Sequence, residues 1–125
     1  MIVDTDVLIW YLRGHSGARD CVNALGPFSI SAITYMELLQ GLRNKAELQT
    51  LRRFIVAQRV TMLSIDPQIT SRAIELLEGY ALSHGLTLGD AILAATVAEH
   101  GEALLTANES HYRRLPGLAM QRFRP

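Results

Sequence analysis

Apolar positions along the chain alternate between short continuous runs and stretches with helical spacing. Met1 to Val3 is a short apolar run that ends at Asp4 and reads as a buried strand. Val7 to Leu12 is an apolar run of helical character, with Asp6 in an N-cap position. Ser16 to Leu25 predicts a second helix, closed by Gly26-Pro27. Phe28 to Ala32 ("FSISA") reads as a strand, and Thr34 to Leu42 and Ala46 to Arg59 read as helices. Val60 to Ile65 is another strand. Asp66-Pro67 then gives a cap followed by proline at the first helical position. The helix it opens is expected to run to about His84, with Gly85 at its C-terminal cap. Leu88 to His100 is a further helix, stopped by Gly101. Ala103 to Thr106 and Leu118 to Phe123 complete the set as strands. Strands that alternate with helices imply an α/β fold with a mainly parallel sheet covered on both faces. In such sheets the functional site lies at the carboxyl ends of the strands.

The 125 residues suit a single domain, and 49% of them are hydrophobic, which favours a packed globular core over disorder. No apolar run reaches the roughly 18 residues of a membrane span. Cys21 is the only cysteine. An internal disulfide is thereby excluded, and a reduced cytoplasm is the expected compartment. The formal net charge is zero, unlike the basic balance usual in dedicated nucleic-acid binders. The positive charge is nearly all arginine, with Lys45 the only lysine. Arginine suits bidentate phosphate contacts, although a compositional bias of the genome explains the same preference.

The acids change the picture further. Glu47, Glu75, Glu78, Glu99 and Glu102 fall on polar helix faces or at helix ends, and Asp20 and Asp66 fit turns, caps or helix surfaces. Three others do not fit so easily. Asp4 ends a buried strand, Glu37 sits on the helix directly after the second strand, and Asp90 opens the helix leading to the fourth strand. None has an arginine or lysine at helical spacing. Burying an unpaired carboxylate costs several kcal/mol unless something neutralises it. Converging carboxylates would also raise one another's pKa values. A hard divalent cation with oxygen ligands resolves both problems. Each acid has a plainer reading on its own: a helix-dipole partner for Asp90, a solvated side chain for Glu37, a strand-end cap for Asp4.

"IVDTDVLIW", "ISAITYMELLQG", "LTLGDAILAAT" and "LLTANESHYRRLPGL", in this order over nearly the whole chain, resemble the PIN-domain ribonucleases. More narrowly, they look like the VapC toxins of bacterial and archaeal toxin–antitoxin pairs. The resemblance implies a PIN-like three-layer α/β/α sandwich over residues 1–125, with about five strands. It makes Asp4, Glu37 and Asp90 the catalytic acids that hold Mg²⁺ or Mn²⁺. Thr106 and Asn108 fall where the family places its remaining polar site residues. Thr5, Asp6 and Ser31 lie beside the acids as supporting residues, and Asp6 either orients Asp4 or caps the first helix. Many relatives carry a fourth acid at the place of Asn108 or three residues on. Asn108 and His111 stand there in this chain, which puts a complete second metal site in question. The implied activity is hydrolysis of RNA phosphodiesters. Arg43, Arg52, Arg53, Arg113 and Arg114 are the residues available to hold RNA, and each also reads as solvated surface or an antitoxin-binding face. The implied partners are a cognate VapB-like antitoxin lying over the active-site groove and a second copy in a homodimer. Trp10, Tyr11 and Leu12 offer apolar surface to the antitoxin if they are not simply core.

Other readings explain less. "DTDV" matches the signature of HAD-type phosphatases, but that chemistry needs a lysine near the phosphate and a later pair of acids. A receiver-like signalling domain would use Asp4, Asp6 and Asp66, but it needs a lysine after a late strand and leaves Glu37 and Asp90 unexplained. A PIN fold that has lost catalysis and only binds a partner is the remaining alternative, kept open by Asn108. His84 and His100 fit helix C-termini, and His15 lies in a turn with no assigned role.

Overall fold

A computed structural model describes all residues, Met1–Pro125. The strands are β1 (Ile2–Val3), β2 (Ser29–Ser31), β3 (Thr61–Leu63), β4 (Leu104–Thr106) and β5 (Met120–Arg122). The helices are α1 (Thr5–Leu12), α2 (Ser16–Leu25), α3 (Ala32–Gln40), α4 (Lys45–Ala57), α5 (Pro67–His84) and α6 (Leu88–His100). A short 3-10 turn spans Glu109–His111. The five strands form one sheet in the order β3-β2-β1-β4-β5, and every pairing is parallel. Ile2 stands opposite both Ser29 and Leu104, which sets β1 at the centre.

Alternation along these strands feeds two cores. Ile2 and Leu104 point to one face, where they pack with Ile69, Ala91, Leu93 and Ala95 of α5 and α6. Val3 and Leu105 point to the other, where Val7, Leu8, Val22, Leu51 and Phe54 of α1, α2 and α4 cover them. The result is the three-layer α/β/α sandwich expected from the sequence.

Most helix boundaries follow local chemistry. Asp66 accepts a hydrogen bond from Ile69 N–H (2.8 Å), Pro67 follows it, and Gly85 ends α5 in the left-handed conformation. Three expectations need correction. The first helix starts at Thr5 rather than Val7, and its cap is Asp4, not Asp6. The strands are only two or three residues long, shorter than the apolar runs suggested. Ala32 belongs to α3, because the Ser31 hydroxyl accepts from Ile33 N–H (3.2 Å) and starts the helix there. Tyr11 and Leu12 are partly buried against the α1 side of the core, so of the apolar trio only Trp10, 37% exposed, offers open surface.

Candidate active site

The carboxyl ends of β1 and β4 lie side by side at the middle of the sheet, and their continuations carry the unusual acids. Asp4 follows β1 and is only 6% exposed. Its carboxylate accepts from Thr5 N–H (2.7 Å) and from the Thr106 hydroxyl (2.8 Å) at the end of β4. Thr106 Oγ1 in turn accepts from Asn108 N–H (2.9 Å), so a relay of hydrogen bonds runs from the loop to Asp4. These donors favour the charged form. Burial outweighs them, and with the repulsion of neighbouring Asp6 it pushes the Asp4 carboxyl up to about 7.

Asp6 ties α1 to the loop after β4. It accepts from Val7 N–H (2.7 Å), Ala107 N–H (3.1 Å) and the Asn108 side-chain amide (2.7 Å). Burial raises its pKa as well. Asn108 thus donates to Asp6, and its role in this arrangement is to close the loop.

Asp90 sits in the first turn of α6, whose N-cap Thr87 accepts from Asp90 N–H (3.3 Å). That bond fixes the turn and leaves the Asp90 carboxylate free to meet the segment after β4. There Tyr112 Oη donates to Asp90 Oδ1 (2.9 Å), and His111 Nδ1 lies 3.2 Å from Oδ2. The Tyr112 hydroxyl also lies near enough to Asp4 to lower that carboxyl's pKa. Tyr112 therefore stands between the two aspartates. Its own pKa is driven upward by burial and by both negative neighbours, which keeps the phenol a donor.

Glu37 is exposed on α3 and accepts from the Thr5 hydroxyl (2.9 Å), which also lies 3.2 Å from Thr34 Oγ1. Its carboxylate rests against Gly89, where an added Cβ would come within 3.0 Å of Oε2. Gly89 precedes Asp90, so Glu37 also reaches the positive end of α6. Ser31, expected beside the acids, instead caps α3 and contacts Thr96 (3.5 Å). None of these carboxylates is paired with lysine or arginine.

No three Asp, Glu, His or Cys side chains are close enough together to hold one ion directly. Asp4 and Asp90 flank one hydroxyl, and Glu37 stands apart beyond Thr5. An all-oxygen set of this kind suits an ion that keeps several waters and takes one or two carboxylates, as Mg²⁺ does, better than a closed protein cage.

The model of the PIN domain family matches residues 1–118. The chain belongs to the PIN-domain family. A relative named Ribonuclease VapC10, from Mycobacterium tuberculosis, is 35% identical over 116 residues, covering 90% of this chain and 85% of the relative. Among solved structures, a toxin–antitoxin complex from Klebsiella pneumoniae is 29% identical with a TM-score of 0.76, covering 98% of both chains. A DNA-bound VapBC from Salmonella typhimurium superposes with a TM-score of 0.83 at 23% identity, covering 97% of this chain and 96% of that one, and bears on the fold.

Against this PIN-domain frame, sequence reasoning missed three residues. Tyr112 gives no local signal, because its partners come from β1 and α6. Gly89 reads as a tolerated helix glycine until Glu37 is placed against it. His15 caps α2, with Nδ1 accepting from Ala18 N–H (3.1 Å), work more often done by Ser, Thr, Asp or Asn. The arginines separate. Arg43 is paired with Glu47 (2.8 Å) on the surface of α4's first turn, while Arg113 and Arg114 line a cleft that includes Asp90. Arg52 and Arg53 are exposed on α4.

Proposed function

We propose that the protein is a metal-dependent endoribonuclease, the toxin of a toxin–antitoxin pair, working as one PIN-like unit over residues 1–125. The carrying observation is the buried Asp4 carboxylate, raised to about 7 and set beside Asp6 and Asp90 with no lysine or arginine to neutralise it. Such a charge deficit calls for a cation, and the oxygen donors suit Mg²⁺ or Mn²⁺. Asp4 and Asp90 would hold the ion, with Glu37 acting through water, and the chemistry it would supply there is polarisation of a phosphoryl oxygen and a lowered pKa for an attacking water. Asp4, held by Thr5 and Thr106, and Asp90, held by Tyr112, contribute fixed oxygen positions. Glu37 is exposed, and its remaining lone pairs can orient the attacking water or accept its proton. Asp6 and Asn108 keep the loop after β4 closed on the site, and Ser31 fixes the start of the helix that carries Glu37.

The substrate is RNA, supported by the ribonuclease named among the relatives. One partner is a cognate VapB-like antitoxin, supported by the toxin–antitoxin complex solved from Klebsiella pneumoniae, and the other is a second copy of the chain, as the sequence resemblance implies. The compartment is the cytoplasm, where the lone unpaired Cys21 would stay reduced.

Purified protein should cleave a folded RNA with single-stranded loops when Mg²⁺ or Mn²⁺ is present, and EDTA should stop it. Asp4→Asn and Asp90→Asn are each expected to lower cleavage by several orders of magnitude. Undiminished cleavage in EDTA, or in either variant, would remove the metal mechanism.

A further inference from the structure

His111 and Tyr112 are neighbours in the chain, and both reach the Asp90 carboxylate, one residue to each oxygen. Tyr112 Oη donates to Oδ1 (2.9 Å), and His111 Nδ1 lies 3.2 Å from Oδ2. The short turn at Glu109–His111 sets up this approach. His111 N–H donates to the Asn108 carbonyl and Tyr112 N–H to the Glu109 carbonyl, both at 3.0 Å. The Tyr112 ring is buried in the core under α5 and α6, while His111 is half exposed on the wall of the neighbouring cleft. An ionised carboxylate only accepts, so Nδ1 carries the hydrogen, and both partners turn the positive ends of their dipoles on Asp90.

The other acid close by is already engaged. Asp6 Oδ1 accepts from Val7 N–H, and Oδ2 accepts from both Ala107 N–H and the Asn108 amide. A carboxylate has about four lone-pair sites, so donors that hold the loop fill most of those on Asp6. Asn108 has turned its amide to Asp6 and keeps only one neutral carbonyl oxygen. Glu37 is held by the Thr5 hydroxyl on the far side of Asp4.

We infer that His111 and Tyr112 clamp Asp90 so that the site takes one divalent ion per chain, with His111 occupying the position from which a second ion would need an anionic ligand. The inference rests on the metal-dependent reading and adds the number of ions and the residues that set it. Hydrolases that use two ions set them about 3.5–4 Å apart. Two dications at that spacing repel each other, and each needs anionic oxygens of its own. Asp4 and Asp90 have lone pairs left for one ion. Beside Asp90, where a further carboxylate would serve a second, the chain places an N–H donor that repels it. Tyr112 has a different part. Its hydroxyl fixes the Asp90 carboxylate in advance, so the ion meets an oxygen already in position.

The test is Mn²⁺ binding to the full chain without RNA. It is read by isothermal titration calorimetry and by the electron paramagnetic resonance signal of free Mn²⁺. Wild type is expected to bind one ion per chain. His111→Asp replaces a half-exposed donor by a carboxylate and should raise the count to two. Tyr112→Phe keeps the ring and its packing and removes only the oxygen that orients Asp90. It should keep the count at one and weaken Mn²⁺ binding about tenfold or more, since partners that orient metal ligands are commonly worth about 10–100-fold in affinity. A purely structural tyrosine would lower the melting temperature of the metal-free variant and leave its affinity alone. Circular dichroism confirms folding, and if Tyr112→Phe does not fold, the counts for wild type and His111→Asp decide. Two ions on wild type, one ion on folded His111→Asp, or unchanged affinity in folded Tyr112→Phe overturns the clamp. Cleavage of RNA by wild type in Mn²⁺ is scored separately. Cleavage with two ions bound defeats the clamp and leaves the ribonuclease standing, whereas one bound ion without cleavage does the opposite. A wild type that binds no Mn²⁺ overturns both.

Discussion

At the scale of single residues, Asp4 is the most informative side chain. Its carboxyl titrates at about 7 in the folded protein, against an ordinary value of 3.8. Between those values the folded state binds more protons than the unfolded state. Stability from this group is therefore full below the ordinary value and is lost as the pH rises through about 7. Metal-free protein should lose stability between about pH 4 and pH 7, by at most roughly 4 kcal/mol from this source. Asp4→Asn carries no charge to bury and should flatten that part of the profile, with the larger gain at pH 8. Urea unfolding in EDTA across this range measures it, and an unchanged slope in the variant would place the strain elsewhere. Added Mg²⁺ should stabilise wild type most at high pH, where the carboxylate is charged and a ligand that binds only the folded state acts on it. The existence of this charge was legible in the sequence, because Asp4 and Asp90 stand at strand and helix ends without a cation at helical spacing. Tyr112, which lies between them, was not. Hydrogen bonds across the fold leave no trace in local spacing, and a tyrosine in a loop has no periodicity to break.

At the scale of elements, two helix caps with similar geometry have different consequences. Asp66 starts α5 far from the acids, while Thr87 starts the turn that carries Asp90. Losing either cap should cost about 1 kcal/mol of stability, with 0.5–2 the usual range. Asp66→Ala should show that loss alone, with cleavage per folded molecule unchanged. Thr87→Val keeps the shape and removes the acceptor for Asp90 N–H, so it should also lower kcat as Asp90 loses its fixed position. Denaturant midpoints and steady-state kinetics on both variants separate the effects, and equal kcat in the two would show that the Thr87 cap only stabilises. Element order and the α/β class were readable because helical spacing and apolar runs alternate cleanly. Strand ends were not, since strands of two or three residues are shorter than the pattern needed to define them. The start of α1 was misplaced for a related reason. Asp4 and Asp6 are both capping residues, and only burial decides that the first caps the helix while the second reaches across to Ala107 and Asn108.

At the scale of the whole molecule, zero net charge conceals a division. Unneutralised acids collect at the carboxyl ends of β1 and β4, and unpaired arginines line the neighbouring cleft. Overall charge argues against nucleic-acid binding only if charge is spread evenly, and here it is not. Binding that depends on Arg113 and Arg114 should be salt-sensitive, because neutralising backbone phosphates releases condensed counterions. For a single strand, log K falls with log salt at a slope of about 0.7 per phosphate contacted. Arg113→Ala/Arg114→Ala should therefore bind RNA more weakly and reduce that slope by about 1.4 if each residue meets one phosphate. Arg43→Ala is the contrasting variant. Its guanidinium already serves Glu47 at the start of α4, so it should leave the slope nearly unchanged. Anisotropy titrations of a single-stranded RNA at several salt concentrations give all three slopes. An unchanged slope in the double variant would return Arg113 and Arg114 to the solvated surface. A drop in Arg43→Ala equal to one phosphate would extend the RNA path past Glu37, along the groove between α1 and α4 that Arg43 shares with Arg13.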